Sequence, residues 1–105
     1  MRITMDCKKH AYLIMAYNNM EVVKVNLKLI DDRRNDIYIH LDSKCNCMEK
    51  LEELIKNVKN SKVYLIKRND NRWGDYSLVE TEIALLREST QNYEYQYYHL
   101  ISESD

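Results

Sequence analysis

Four short apolar runs alternate with longer amphipathic stretches from one end of this chain to the other, and no other feature restricts its fold as much. The runs are His10 to Ala16, built around Tyr12-Leu13-Ile14-Met15, then Ile37-Tyr38-Ile39-His40-Leu41, then Lys62-Val63-Tyr64-Leu65-Ile66, and last Tyr97 to Ile101. A strand with one face in water alternates polar and apolar residues. Runs apolar at nearly every position belong to strands covered on both faces, as in parallel sheets. Parallel neighbours need a crossover long enough to hold a helix, and each gap here contains a segment of helical spacing. The chain therefore reads as successive βαβ units of an α/β fold, with an open, mostly parallel sheet and helices on both faces.

The helices follow from period and punctuation. Met20, Val23, Leu27 and Ile30 share one face in the first gap; Met48, Leu51, Leu54, Ile55 and Val58 do so in the second; Leu78 or Val79, Ile83 and Leu86 do so in the third. Asn18 with Glu21, and Ser77 with Glu80, have the spacing of a capping box, so the first and third helices are expected to start there. Asp31 to Asp36 and Arg68 to Arg72 are polar connections, and no internal repeat or low-complexity tract interrupts the pattern.

A chain of 105 residues is expected to form one domain over residues 1–105, at the small end for this architecture. Its formal net charge of −1 leaves no electrostatic footprint for nucleic acid. No apolar stretch approaches the roughly 18–20 residues of a membrane span, and no leader pattern is present, so a cytoplasmic address is expected. Cys7, Cys45 and Cys47 could suggest a metal site with His40, but two thiols one residue apart lack the gap of a zinc knuckle; free, reduced thiols are expected. His10, His40 and His99 lie in or at the start of strands and read as structural. One glycine, Gly74, cannot build a glycine-rich phosphate loop.

The last eight residues, Tyr98-His99-Leu100-Ile101-Ser102-Glu103-Ser104-Asp105, read as a buried strand entering an acidic loop. In open α/β sheets the loops after strand C-termini hold the ligands. The chain is thus expected to stop at its own binding edge.

Four blocks, in order, carry a family resemblance: Ala11-Tyr12-Leu13-Ile14-Met15-Ala16; Asn35-Asp36-Ile37-Tyr38-Ile39-His40-Leu41-Asp42-Ser43-Lys44; Trp73-Gly74-Asp75-Tyr76-Ser77-Leu78-Val79-Glu80; and Tyr97-Tyr98-His99-Leu100-Ile101-Ser102. Together they resemble the core-2/I-branching β-1,6-N-acetylglucosaminyltransferases over about residues 9–105, the N-terminal part of that family's catalytic domain. The resemblance implies a GT-A-like, Rossmann-like fold whose first strands form the nucleotide-binding half, in the order 3-2-1-4. It also implies a UDP-sugar donor, inversion at the anomeric carbon, and no metal or other cofactor. In the family, basic side chains of the C-terminal half neutralise the departing diphosphate and a glutamate there acts as general base, which places the catalytic residues beyond Asp105.

Carried over position by position, Ala16, Tyr17 and Asn18 resemble the segment that packs on the nucleoside. Asp42, Ser43 and Lys44 resemble the stretch that meets base and ribose, and Trp73 stands where an aromatic side chain lies near the nucleotide. Ser102 and Asp105 fall in a donor-sugar or acceptor loop. Taken alone, Asp42 and Lys44 also read as solvated loop charges, and Trp73 as a lid on the sheet edge. The sequence departs from the family at Tyr17, where histidine is common, and at Glu103, where glycine is common; an anionic side chain in that loop opposes a diphosphate.

These expectations describe the N-terminal piece of a transferase, inactive by itself. A small α/β nucleotide-binding or regulatory module without catalysis is the alternative. A third reading is a subunit that joins a separate C-terminal half, or another copy, through the apolar edge of the fourth strand.

Overall fold

The computed structural model describes residues 9–17, 19–42, 45–66 and 76–102. Four strands, β1 (His10–Ala16), β2 (Asn35–Leu41), β3 (Lys62–Ile66) and β4 (Tyr97–Ser102), alternate with helices α1 (Met20–Ile30), α2 (Met48–Lys56) and α3 (Tyr76–Asn92). All neighbouring strands are parallel and the order is β3-β2-β1-β4, as the sequence implies.

Register follows from the apolar pattern. Ile14 pairs with Ile39 and Ile101, and Leu13 with Tyr38 and Leu100, so like faces align across the sheet. On one face Ile14, Ala16, Ile37, Ile39 and Leu41 meet Met20, Val23 and Leu27 of α1 and Leu51 and Leu54 of α2. On the other, Ala11, Leu13, Tyr38 and Ile66 meet Leu85 of α3 and Tyr95. Burial on both faces is why β2 reads as an unbroken apolar run: its residues from Asp36 to Leu41 are all buried.

Several boundaries and faces differ from expectation. β2 begins two residues earlier than its apolar run, at Asn35, because Asp36 is itself buried. The cap of α1 is Asn19, whose side-chain oxygen accepts from the Val22 amide at 3.3 Å; Glu21 then sits one position short of a capping-box carboxylate, and Asn18 lies outside the described residues. Ser77 falls inside α3 instead of capping it. The buried face of α3 is Thr81, Leu85 and Ser89, while Ile83 and Leu86, expected inward, are 46% and 44% exposed. Small residues let this helix approach the sheet closely, and the Ser89 hydroxyl is satisfied within its own helix by the Leu86 carbonyl at 3.1 Å. β4 is less buried than its composition suggests: it is an edge strand, and Tyr97 and Leu100 remain about half exposed.

Candidate functional site

In a sheet of order 3-2-1-4 the chain winds outward from β1 to β3, then returns to β1's other side to lay down β4. The strand order therefore reverses between β1 and β4, and α1 and α3 cover opposite faces of the sheet; the C-terminal ends of strands at such topological switch points are where open α/β sheets bind ligands. The described residues expected at the site fall along this edge. Ala16 ends β1 and pairs with Leu41, the last residue of β2, and Ser102 ends β4 opposite Met15. Ser102 thus lies across the switch point from the end of β1.

Backbone hydrogen bonds carry the order of the sheet a short way beyond the strands. The Asp42 N–H donates to the Ala16 carbonyl at 3.0 Å, and the Cys45 N–H donates to the Asp42 carbonyl at 3.1 Å. Asp42 is therefore held as the first residue off β2 and Ala16 is buried beneath it, while Tyr17 is 48% exposed just past β1. Asn19 then starts α1 at the same edge, so the amides of its first turn, the positive end of the helix dipole, lie at the C-terminal end of β1. Asn18, Ser43, Lys44, Trp73 and Asp105, expected beside these residues, lie outside the described residues, as do Gly74 and Glu103.

Cys45 and Cys47 lie beside one another between the end of β2 and the start of α2, their Cα atoms 5.4 Å apart, because the chain turns at Asn46 to enter α2 with Cys47 as its N-cap. Among the described residues no three His, Cys, Asp or Glu side chains converge to hold a metal ion, and no helix is long and apolar enough to cross a membrane.

A second polar constellation, which sequence reasoning missed, lies at the opposite end of the sheet. Asp36, 3% exposed, receives the Lys9 ammonium at 3.0 Å and the Tyr95 hydroxyl at 2.6 Å. The Tyr95 hydroxyl also meets that of Tyr38 at 2.6 Å, and the Asn92 amide donates to Tyr38 at 2.7 Å. Burial, with the bond to Asp36 adding to it, pushes the Tyr95 hydroxyl far above the usual tyrosine range, so it stays a donor. Beside it, His10 Nδ1 and His99 Nε2 share a hydrogen bond at 2.9 Å, and Tyr12 stacks on His99. Burial, with the neighbouring His10, lowers His99 from its ordinary value. At the same end the Asp31 carboxylate accepts the amides of Lys59, Asn60 and Ser61 at 2.8–3.0 Å. Burial opposes its ionisation, and the amides of Lys59, Ser61 and Asn60 outweigh that, leaving it below the usual carboxylate range. These contacts join elements far apart in sequence at the end away from the switch point, where their chemistry is fastening. Asp36 ahead of Ile37 was the one signal available, a charge placed against an otherwise apolar run.

The model of one family, described as Core-2/I-Branching enzyme, matches residues 10–105. No curated protein and no solved structure matches the chain.

Proposed function

Because the chain belongs to the Core-2/I-Branching enzyme family, and so is related to glycosyltransferases, we propose that it forms the nucleotide-binding half of an inverting UDP-sugar transferase acting in glycan or polysaccharide synthesis, in the cytoplasm. The observation that carries this reading is the convergence of Ala16, Tyr17, Asp42 and Ser102 at the C-terminal edge of the sheet, around its switch point.

Each group has a physical role there. The exposed ring of Tyr17 offers a face on which a pyrimidine base can stack. A carboxylate accepts hydrogen bonds and donates none, so Asp42 suits ribose hydroxyls or the base N–H and belongs at the nucleoside end, away from the anionic diphosphate. The first turn of α1 presents backbone amides and the positive end of a dipole, the preferred surroundings of phosphate oxygens. Ser43, Lys44 and Trp73 complete the donor contacts in this proposal, with Ser102 and Asp105 toward the sugar or acceptor.

Transfer also needs a base to take the acceptor proton and cations to meet the departing diphosphate. The resemblance assigns those to the half of the family's domain that follows, and no metal is invoked. The chain alone is proposed to hold the donor without turning it over, and the exposed, apolar edge of β4 is where the remaining half, or a second copy, would add strands. Calorimetric titration with UDP-N-acetylglucosamine, with UDP release followed in parallel, tests this. Saturable binding without release is expected, weakened at least about tenfold by Asp42→Ala, the scale of a lost charged hydrogen bond. Release of UDP by the chain alone, or binding indifferent to Asp42→Ala, contradicts it.

A further inference from the structure

The outward flanks of α1 and α2 carry charge and apolar surface that neither the fastening network nor the donor-site reading uses. Toward the C-terminal ends of the two helices a cleft of about 80 Å3 opens between them, lined by Leu27, Leu54 and Val58 together with Lys24, Lys28 and Asn57, and bounded by Asp31. Leu27 and Leu54 are buried, whereas both lysines are exposed. Nearby in the chain, Arg33 follows α1, Lys56 ends α2 and Lys59 follows α2, all three exposed. None of these five cations forms an ion pair among the described residues. The acids of this region are engaged already: Asp31 holds the three amides of the α2–β3 connection, and Asp32 meets Arg34 at 3.4 Å. Glu21, Glu49 and Glu52 lie nearer the N-terminal ends of the helices, and Glu53 meets Lys50 at 3.8 Å. Helix dipoles favour cations in the last turns, which accounts for Lys28 and Lys56 but gives no reason for Lys24, Arg33 or Lys59. In a chain whose formal net charge is −1, this is a local concentration of unpaired positive charge.

The same stretch of α1 exposes apolar side chains. Val25 is 54% and Leu29 78% exposed, and Leu29 is the most exposed large hydrophobic side chain among the described residues. The two stand four positions apart, on one flank of the helix, and each directly follows one of the cleft lysines. We propose that this flank is a docking surface for a bilayer that carries anionic phospholipids. A soluble polyanion would use the cations and leave Val25 and Leu29 in water. At a bilayer interface the ammonium and guanidinium groups meet lipid phosphates, the two apolar side chains enter the boundary of the acyl chains, and the lysine stems lie along apolar surface. Since no described helix is long and apolar enough to cross a membrane, the association is peripheral. α1 starts at the C-terminal edge of the sheet and the cleft lies toward its other end, so docking leaves that edge open to solvent. The proposal does not depend on the donor-site reading.

It is tested by co-sedimentation of the full chain with vesicles of phosphatidylcholine alone and of phosphatidylcholine mixed with phosphatidylglycerol, with far-UV circular dichroism reporting the fold of each variant. The wild type should partition onto the mixed vesicles, stay in solution with the neutral ones, and be released as salt is raised. The double substitution Lys24→Gln/Lys28→Gln should weaken partitioning at least about tenfold, and Leu29→Ser about threefold. Arg87→Gln, an exposed cation of α3 on the opposite face of the sheet, should leave it unchanged. Leu29→Ser alters an exposed side chain and so decides the matter even where the lysine variant fails to fold. No partitioning onto the mixed vesicles, equal partitioning onto both kinds, or a loss with Arg87→Gln as large as with the lysine pair overturns the proposal. Release of the chain by polyuridylate, with Leu29→Ser binding the vesicles as the wild type does, assigns the cations to a soluble polyanion and overturns it as well.

Discussion

The two ends of the sheet are built differently. At the N-terminal end side chains do the fastening: Lys9, Asp36, Tyr95, Tyr38 and Asn92 form one buried network, His10 and His99 bridge β1 to β4, and Asp31 gathers three amides from the α2–β3 connection. At the C-terminal end the described contacts include the backbone bonds of Asp42 on Ala16 and Cys45 on Asp42 and the Asn19 side chain that caps α1. Buried, mutually satisfied polar groups hold one geometry and leave little surface for anything else. At the C-terminal end Tyr17 is 48% exposed. Side-chain fastening is concentrated at one edge and the proposed nucleotide recognition lies at the other, which separates what each substitution should affect.

The largest effect should come from breaking the N-terminal network. Asp36→Ala leaves Lys9 and Tyr95 without their buried acceptor and should cost about 3 kcal/mol, read as a lower urea midpoint. Tyr95→Phe removes one donor and should cost about 1–2 kcal/mol. Asp31→Ala frees three amides that are largely open to water, so about 1 kcal/mol is expected. None of the three should change UDP affinity of the folded fraction; a parallel loss of affinity would erase the distinction between the ends.

A smaller, pH-dependent effect sharpens the contrast. His99 is lowered in the folded chain, so the unfolded chain binds its proton first as pH falls. The stabilisation is complete above the ordinary value of 6.5 and is lost as pH falls through the lowered folded value. Denaturant midpoints should therefore drop from pH 7 toward about pH 5, and His99→Gln should flatten that part of the profile. Asp31, also lowered, acts in a separate window: its contribution is present above 3.8 and disappears at still lower pH.

Much of the fold was legible because its cause is local and repetitive. The unbroken run Ile37 to Leu41 could only belong to a strand covered on both faces, and the spacing of Met20, Val23 and Leu27 marked the buried face of α1. The face of α3 was misread because its buried positions include Thr81 and Ser89, chosen for size where hydrophobic periodicity looks for Ile83 and Leu86. The Asp36–Tyr95 contact joins residues separated by 59 positions, and periodicity contains nothing of that range. The same holds for the cysteines: their spacing argued against zinc, but how near two neighbouring thiols lie depends on how the chain turns at Asn46. The proposed site rests chiefly on the resemblance, since Asp42 and Tyr17 alone read as ordinary loop residues.

Hydrogen exchange of the full chain with and without saturating UDP compares the two ends in one experiment. The account predicts slowed exchange at the amides of Tyr17, Met20, Asp42 and Cys45, with no change at Asp32, Asn35, Ser61 and Gln96. Protection confined to the N-terminal end, or none at either end in a folded chain, would contradict a nucleotide site at the switch point.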